Sequence, residues 1–519
     1  MTDRTLSRRS FIATGAALAG GVALASNAGL GLNASVAKAE GGTLTGACAY
    51  SSTNYSPVGS SSALILGAIW HVFEGLYEID LHTYETYPAL ASGDPTKVSD
   101  TEYEVTLRDG AKFSDGTDVT AADVVNAFEK NIANDTYGAF LSFIDSVEAK
   151  DDKTVTFKLK YAFDTLLKGR LALVKIFPAS LTDDQLSQSP IGTGPWMYSS
   201  IDGDDGGAIE FEPNPNYNGS HPAKADSMHW DVLLDGTSRT TALQEGTAMV
   251  MENVPDENAE MLQNSGATVD YVAGFNQPFL MFNTKKAPFD DVRVRQAFFY
   301  AINVDQLISN VMNGHASKVT SFLPESHANY HQASTVYTYD PDKAKELLKE
   351  AGQESIDITL KVNNNWVSTL SAQIKNDLDA VGINTTLQEE KINWSELAES
   401  DSELPYDVML TPGDPTCFGN DPDLLMNWWY GDNVWTRGRS CWAGTDEWNQ
   451  LQDLLQQARE ATGDDQQQLW NKCFDIIAEQ VPLYALFHRE LATGYQADMI
   501  DGFKPISTTG LVFLDCAAK

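Results

Sequence analysis

Three histidines and one acidic turn are the groupings in this chain whose types and spacing could hold a metal ion. His327 and His331 lie four apart, with His315 upstream, and that spacing aligns two imidazoles only on a helical face. Their setting, ESHANYHQAS, reads as a loop, so exposed histidines are the plainer reading and no metal is assigned. Asp202 to Gly207, DGDDGG, has the acidic start of a calcium loop but lacks the later bidentate Glu, so a hairpin turn is expected. Bond-making chemistry has no better foothold. The chain has no G-x-S-x-G elbow, no H-E-x-x-H, no C-x-x-C and no G-x-G-x-x-G, which lowers the hydrolase and redox readings. No cofactor is expected.

The remaining chemistry is that of binding. Asp414 follows Gly413 in a turn after the strand-like Tyr406 to Leu410, so its carboxylate could face a cleft; an Asx-turn cap is the structural alternative. Trp428, Trp429, Trp435 and Trp442 crowd one segment, with Trp366 and Trp394 upstream. Large flat rings suit peptide side chains, sugars and cations, while core packing is the expectation for most of them. Cys417 and Cys441 bracket a loop rich in Gly, Asp and Trp and are the favoured disulfide among five cysteines. Closing a loop of that size would contribute about 3 kcal/mol in the chain-entropy picture. An odd count leaves at least one thiol free or paired between chains, and Cys48 sits behind a poor lipobox.

Bulk properties bound the setting. Ser7-Arg8-Arg9-Ser10-Phe11-Ile12 is a twin-arginine pattern, followed by an Ala/Gly-rich run to Ala25 and a small-x-small site at Ala37-Lys38-Ala39. Residues 1–39 are therefore expected to be removed during export. The Phe11 to Ala25 run is shorter than the roughly 20 apolar residues a membrane span needs, so a soluble mature chain is expected. Formal charge is −37, and removing Arg4, Arg8, Arg9 and Lys38 with Asp3 leaves −40. Such a surface repels nucleic acid and anionic lipid but does not name a ligand.

Several elements are legible locally. Tyr103, Val105 and Leu107 alternate with polar residues as a half-buried strand, and Thr120 with Asp123 makes a capping box ahead of Val124, Ala127 and Phe128. Asp340 caps a helix with Pro341 first, Ala344, Leu347, Leu348 and Ala351 on one face, and Gly352 at its end. From Asp290 onwards strands alternate with helices, which is α/β patterning.

The wording of these stretches closely resembles the family 5 extracellular solute-binding proteins, which feed peptides and nickel to ABC transporters. YEVTLRDGAKFSDGTDVTAADVVNAF carries most of the resemblance. WHVFEGLYEID, IGTGPW, FNTKKAPFDDVRVRQAFFYAIN, YDPDKAKELLKEAG and AEQVPLYALF accompany it in the family's order, from Trp70 almost to the C-terminus. The resemblance implies an α/β, two-lobed, type II periplasmic-binding-protein-like fold with a domain inserted in the first lobe. Residues 40–80, 192–281 and 488–519 would form lobe I, 81–191 the inserted domain and 282–487 lobe II. Chain crossings near Phe282-Asn283 and Phe487-His488 would form the hinge.

In function the resemblance implies a non-enzymatic substrate-binding protein, working as a monomer beside a membrane permease on the periplasmic or extracellular face. It would capture a peptide-like solute; a nickel complex, an oligosaccharide or an exported enzyme are the alternatives. Asp414 matches the acid that receives a peptide's amino group, with Asp421 in the following Asp-Pro. Where dipeptide-specific members carry an arginine for the ligand carboxylate, this chain reads KVNNNWVSTL, so Asn364 and Trp366 stand there, with Arg437 a substitute from the tryptophan loop. Trp428 joins that wall, and Tyr50, Asn54, Gln277 and Phe279 are placed on the opposite one.

Overall fold

A computed structural model describes residues 41–363, 365–392, 406–433, 436 and 439–519. The leader, Asn364, Trp394, Trp435 and Arg437 lie outside the described residues. Among those described, no helix is long and apolar enough to cross a membrane.

Two large sheets organise the chain. The first runs Thr268–Ala273, Phe487–Tyr495, Val250–Met251, Thr43–Cys48, Ser227–Val232, Ala208–Pro213, Trp196–Ile201, with Ala316–Lys318 also pairing on Phe487–Tyr495. Thr43–Cys48 is parallel to both neighbours, as a buried central strand should be. The DGDDGG segment is the hairpin turn between Trp196–Ile201 and Ala208–Pro213, as its glycines and aspartates predict. The second sheet runs Ile383–Glu390, Ile356–Asn363, Val408–Gly413, Gln277–Phe282, Leu483–Ala485.

A smaller antiparallel sheet, Thr96–Ser99, Glu102–Thr106, Thr154–Leu159, Ile144–Ala149, carries the strand read from Tyr103 and Val105, both buried. Helix Ala121–Ile132 packs on it, and its capping box forms, with Asp123 Oδ2 accepting from the Thr120 N–H at 2.9 Å and the Thr120 hydroxyl at 2.7 Å. The Asp340-capped helix spans Pro341–Glu350 and buries Ala344, Leu347 and Leu348. In IGTGPW the glycines are needed for close approach: a Cβ on Gly192 would lie 2.0 Å from the Val72 carbonyl oxygen, and one on Gly194 2.3 Å from that of His71.

The chain passes between the large sheets at two short crossings, and it also returns to the first sheet between them at Ala316–Lys318. Only Leu486 separates Leu483–Ala485, in the second sheet, from Phe487–Tyr495, in the first. The other crossing is Gly274 to Asn276, between Thr268–Ala273 and Gln277–Phe282. This corrects the crossing expected at Phe282-Asn283. Gln277–Phe282 pairs residue for residue with Val408–Gly413, from Gln277 opposite Gly413 to Phe282 opposite Val408, so it belongs to the second sheet. Its run of apolar residues, buried on both faces, carries no periodicity that would reveal the sheet it joins. Gly274 fits the crossing, since a Cβ there would strike Leu491 at 2.1 Å and the Ser507 carbonyl oxygen at 2.3 Å.

Candidate functional site

The site is the seam between the bodies built on the two large sheets. Val408–Gly413 ends against Trp429, whose ring would meet a Cβ on Gly413 at 2.2 Å, and the chain turns there into Asp414. One Asp414 carboxylate oxygen accepts from the Thr416 N–H at 3.0 Å and the Thr416 hydroxyl at 2.5 Å. The other accepts from the Thr508 hydroxyl and the Thr509 N–H, both at 3.1 Å. The Asx-turn cap expected as the structural alternative is formed by one oxygen, while the other ties the turn to the C-terminal segment. Burial raises the Asp414 pKa against the lowering influence of these four donors.

A second polar group lies beneath the strand ends of the first sheet. Glu252 accepts from the Ala49 N–H at 2.9 Å and the Gly510 N–H at 2.7 Å, and burial raises its pKa. Tyr50 stands among Glu252, Arg489, Arg239 and Asp414, and burial first, then Glu252, raises its phenol pKa. Arg489 lies with its guanidinium carbon 4.2 Å above the Trp366 ring, and the Trp366 N–H donates to Asn276 Oδ1 at 3.1 Å.

The seam continues through an ionic group and an aromatic group. Arg170, on helix Leu167–Ala172, sits against the strands Tyr77–Ile79 and Thr86–Pro88. It reaches across to Asp421 at 2.5 and 2.9 Å and to Asp423 at 2.8 Å, while Arg459 holds the other Asp423 oxygen at 2.8 Å. Two cations and two carboxylates thus balance in a buried position. Burial alone would raise the Asp421 pKa; Arg170 outweighs it and holds the carboxyl below its ordinary value. Alongside, Phe418 packs on Tyr137 at 5.7 Å and Phe140 at 5.9 Å, and Trp428 stacks on Phe140 at 6.2 Å. A small recess opens beside them, walled by Leu66, Ile69, Trp70, Tyr137, Lys175 and Phe418.

The structure brings some expected residues together and disperses others. Asp414, Tyr50 and Trp366 meet at the seam. Asp421 caps helix Pro422–Tyr430 through the Leu424 N–H at 2.9 Å and pairs with Arg170, so its carboxylate is already engaged. Asn54 is exposed and caps a local turn through the Ser56 N–H at 3.0 Å. Phe279 and Trp429 pack at 4.4 Å in the interior, Trp428 lies under Arg439 at 4.9 Å, and Gln277 reaches His488 at 2.5 Å. Gln277 and Phe279 belong to the second sheet, not to the opposite wall. No disulfide joins Cys417 and Cys441. The Cys417 thiol donates to the Asp414 carbonyl at 3.5 Å inside the seam, while Cys441 lies within the field of Lys285. His327 bonds the Asn420 carbonyl oxygen at 2.7 Å, and His315 stacks on Tyr271 and pairs with Glu490 at 3.0 Å. Arg170, Glu252, Asp423, Arg489, Thr508 and Thr509 carried no local signal in the sequence.

These two bodies joined by short crossings, with charged side chains of each facing the other, define a two-lobed binding protein of the type II periplasmic class. Residues 85–436 match the family model for bacterial extracellular solute-binding proteins, family 5 Middle, and the chain belongs to that family. Among curated relatives, the dipeptide-binding protein of Escherichia coli (strain K12) is 28% identical over 477 residues, covering 82% of this chain and 86% of its own. The same fold appears in the periplasmic binding protein DppA of Helicobacter pylori, solved with the peptide STSA (TM-score 0.80, 23% identity, 92% of this chain and 98% of that one). It also appears in NikA of Staphylococcus aureus, solved with Ni(L-His)2 (TM-score 0.79, 17% identity, 92% and 100%).

Proposed function

We propose that this chain captures a peptide-like solute between its lobes and presents the closed form to an ABC permease, without bond chemistry, as a monomer exported by the twin-arginine route. One observation carries the reading: Asp414 is a half-buried acid whose two carboxylate oxygens accept from donors far apart in the chain, Thr416 on one and Thr508 with Thr509 on the other. An ammonium group entering the seam would compete with these four donors for the carboxylate, and its positive charge would favour the ionised form that burial disfavours. The dipeptide-binding relative and the peptide-bound neighbour support the ligand class. His315 and His327 are each partly exposed but held by protein partners, which favours a peptide over a metal complex.

A thermal-shift screen of residues 40–519 tests this, using di-, tri- and longer peptides with sugars and Ni2+ as controls. A true ligand at a hundred times its dissociation constant should stabilise the protein by about 2.7 kcal/mol. A response confined to sugar or metal would overturn the ligand class while leaving the fold intact. With a binding peptide in hand, Asp414→Asn is expected to weaken the free-amine form by about 1.5 to 3 kcal/mol, the range for a hydrogen bond to a charged group. The N-acetylated form should lose less. Calorimetric titration giving equal losses for both would remove the ammonium role.

A further inference from the structure

The family resemblance leaves the far end of the ligand without a partner, because no arginine stands in KVNNNWVSTL. The geometry points to one elsewhere. Arg489 lies on Phe487–Tyr495, just past the single-residue crossing at Leu486, and is 2% exposed. Three things fix its guanidinium. Its plane is covered by Trp366 from the other lobe at 4.2 Å. One terminal nitrogen donates to Asn253 Oδ1 at 3.3 Å. The other lies 3.6 Å from Asp256 Oδ2, an ion pair longer than a hydrogen bond.

Its Nε–H, though buried, has no partner among the described residues. A buried donor left unpaired is destabilising, and in native structures such a group calls for an explanation. Nε and the adjacent terminal nitrogen together form the side-on edge with which a guanidinium grips a carboxylate through two parallel N–H bonds. Here that edge holds one free donor and one loosely engaged one. Tyr50 lies in the field of both Arg489 and Asp414, so the two charges flank one side chain. Asn253, which orients the guanidinium, sits in the left-handed region at φ +52°, a conformation that asparagine tolerates and most residues do not.

We propose that Arg489 is the receptor for a carboxylate on the solute, gripped along its Nε edge and roofed by Trp366, so that the seam between Arg489 and Asp414 takes a short ligand charged at both ends. This rests on the peptide reading above and deepens it. Asp256 then acts as the stand-in anion that the ligand's carboxylate relieves. Because Trp366 and Arg489 come from different lobes, the stacked pair is complete only when the lobes meet, which couples carboxylate capture to closure.

The test uses synthetic mixtures of dipeptides and tripeptides with random side chains, each prepared with a free and with an amidated C-terminus. They are read by thermal shift and native mass spectrometry on the wild-type protein and on Arg489→Gln. The expected result is that amidation weakens binding to the wild type roughly ten- to hundredfold, and that Arg489→Gln binds both forms equally. Equal binding of free and amidated mixtures by the wild type overturns the inference while leaving the peptide reading standing. Failure of both mixtures on the wild type overturns the peptide reading and this inference with it. The amidation comparison needs no variant, so the outcome does not depend on Arg489→Gln folding.

Discussion

Replacing Arg170 by methionine is expected to open the unliganded protein rather than unfold it. Removing one partner of a buried ion pair typically costs about 3 to 5 kcal/mol, because the remaining charges are left uncompensated. Asp421 and Asp423 would keep only Arg459, which reaches Asp423 alone. The pair spans the seam, however, so the aspartates can regain water by separation of the lobes, without loss of either core. The penalty therefore falls on the closed form. Methionine preserves most of the bulk that fills the space near Phe163, 6.0 Å from the guanidinium. Small-angle X-ray scattering should show a larger radius of gyration for the variant, and ligand affinity should fall roughly a hundredfold or more as the binding-competent fraction shrinks. Unchanged scattering together with a lowered melting temperature would show that the pair only stabilises a fixed body.

Acid should loosen the hold of the C-terminal segment through His71. This imidazole is buried on helix Ala63–Val72, donating from Nδ1 to the Gly67 carbonyl at 2.8 Å and accepting the Phe513 N–H at Nε2, also at 2.8 Å. Those bonds require the neutral tautomer. Burial, partly countered by the Gly67 carbonyl, lowers its pKa from 6.5 to about 4. The unfolded chain takes up this proton first, so the contribution is complete above pH 6.5 and is lost as pH falls towards 4. At about 1.36 kcal/mol per unit, the loss approaches about 3 kcal/mol. Glu252 and Asp414 act with the opposite sign, since burial raises their pKa values and their penalty is relieved by acid. The stability difference between wild type and His71→Gln isolates the histidine, and it should shrink by that amount between about pH 7 and pH 4. Ring NMR signals of His71 titrating near its ordinary pKa of 6.5 would contradict the assignment.

What the sequence disclosed was what neighbours in the chain decide. Thr120 and Asp123 are three apart, and Asp340 is beside Pro341, so caps, turns and amphipathic faces were legible from local order alone. The second-sheet strand Gln277–Phe282 was not placed, because an element buried on both faces carries no period to show which sheet it joins. The candidate site was half legible. Asp414 was reachable through its turn and the family wording, while Arg170 lies 251 residues from Asp421 and Arg489 lies far along the chain from Trp366. Asp421 illustrates the limit: its type and position suggested a ligand contact, and only the tertiary partner shows its charge already balanced. The expected cystine failed for a similar reason, since bracketing a loop in sequence says nothing of where each thiol points. The tryptophans divided, with Trp366 lying at the seam and Trp429 in the interior.

Gly42 and Ala518 touch, close enough that a Cβ on the former would lie 2.9 Å from that of the latter. Gly42 and Ala518 therefore share one patch beside the first sheet, where Ile500–Asp501 pairs with Ala517–Ala518. A linker of a few residues could join them, and new ends could be cut at the Asp202 to Gly207 hairpin without interrupting either crossing. Fluorophores attached on opposite sides of the seam of such a rearranged chain would turn lobe closure into an optical signal.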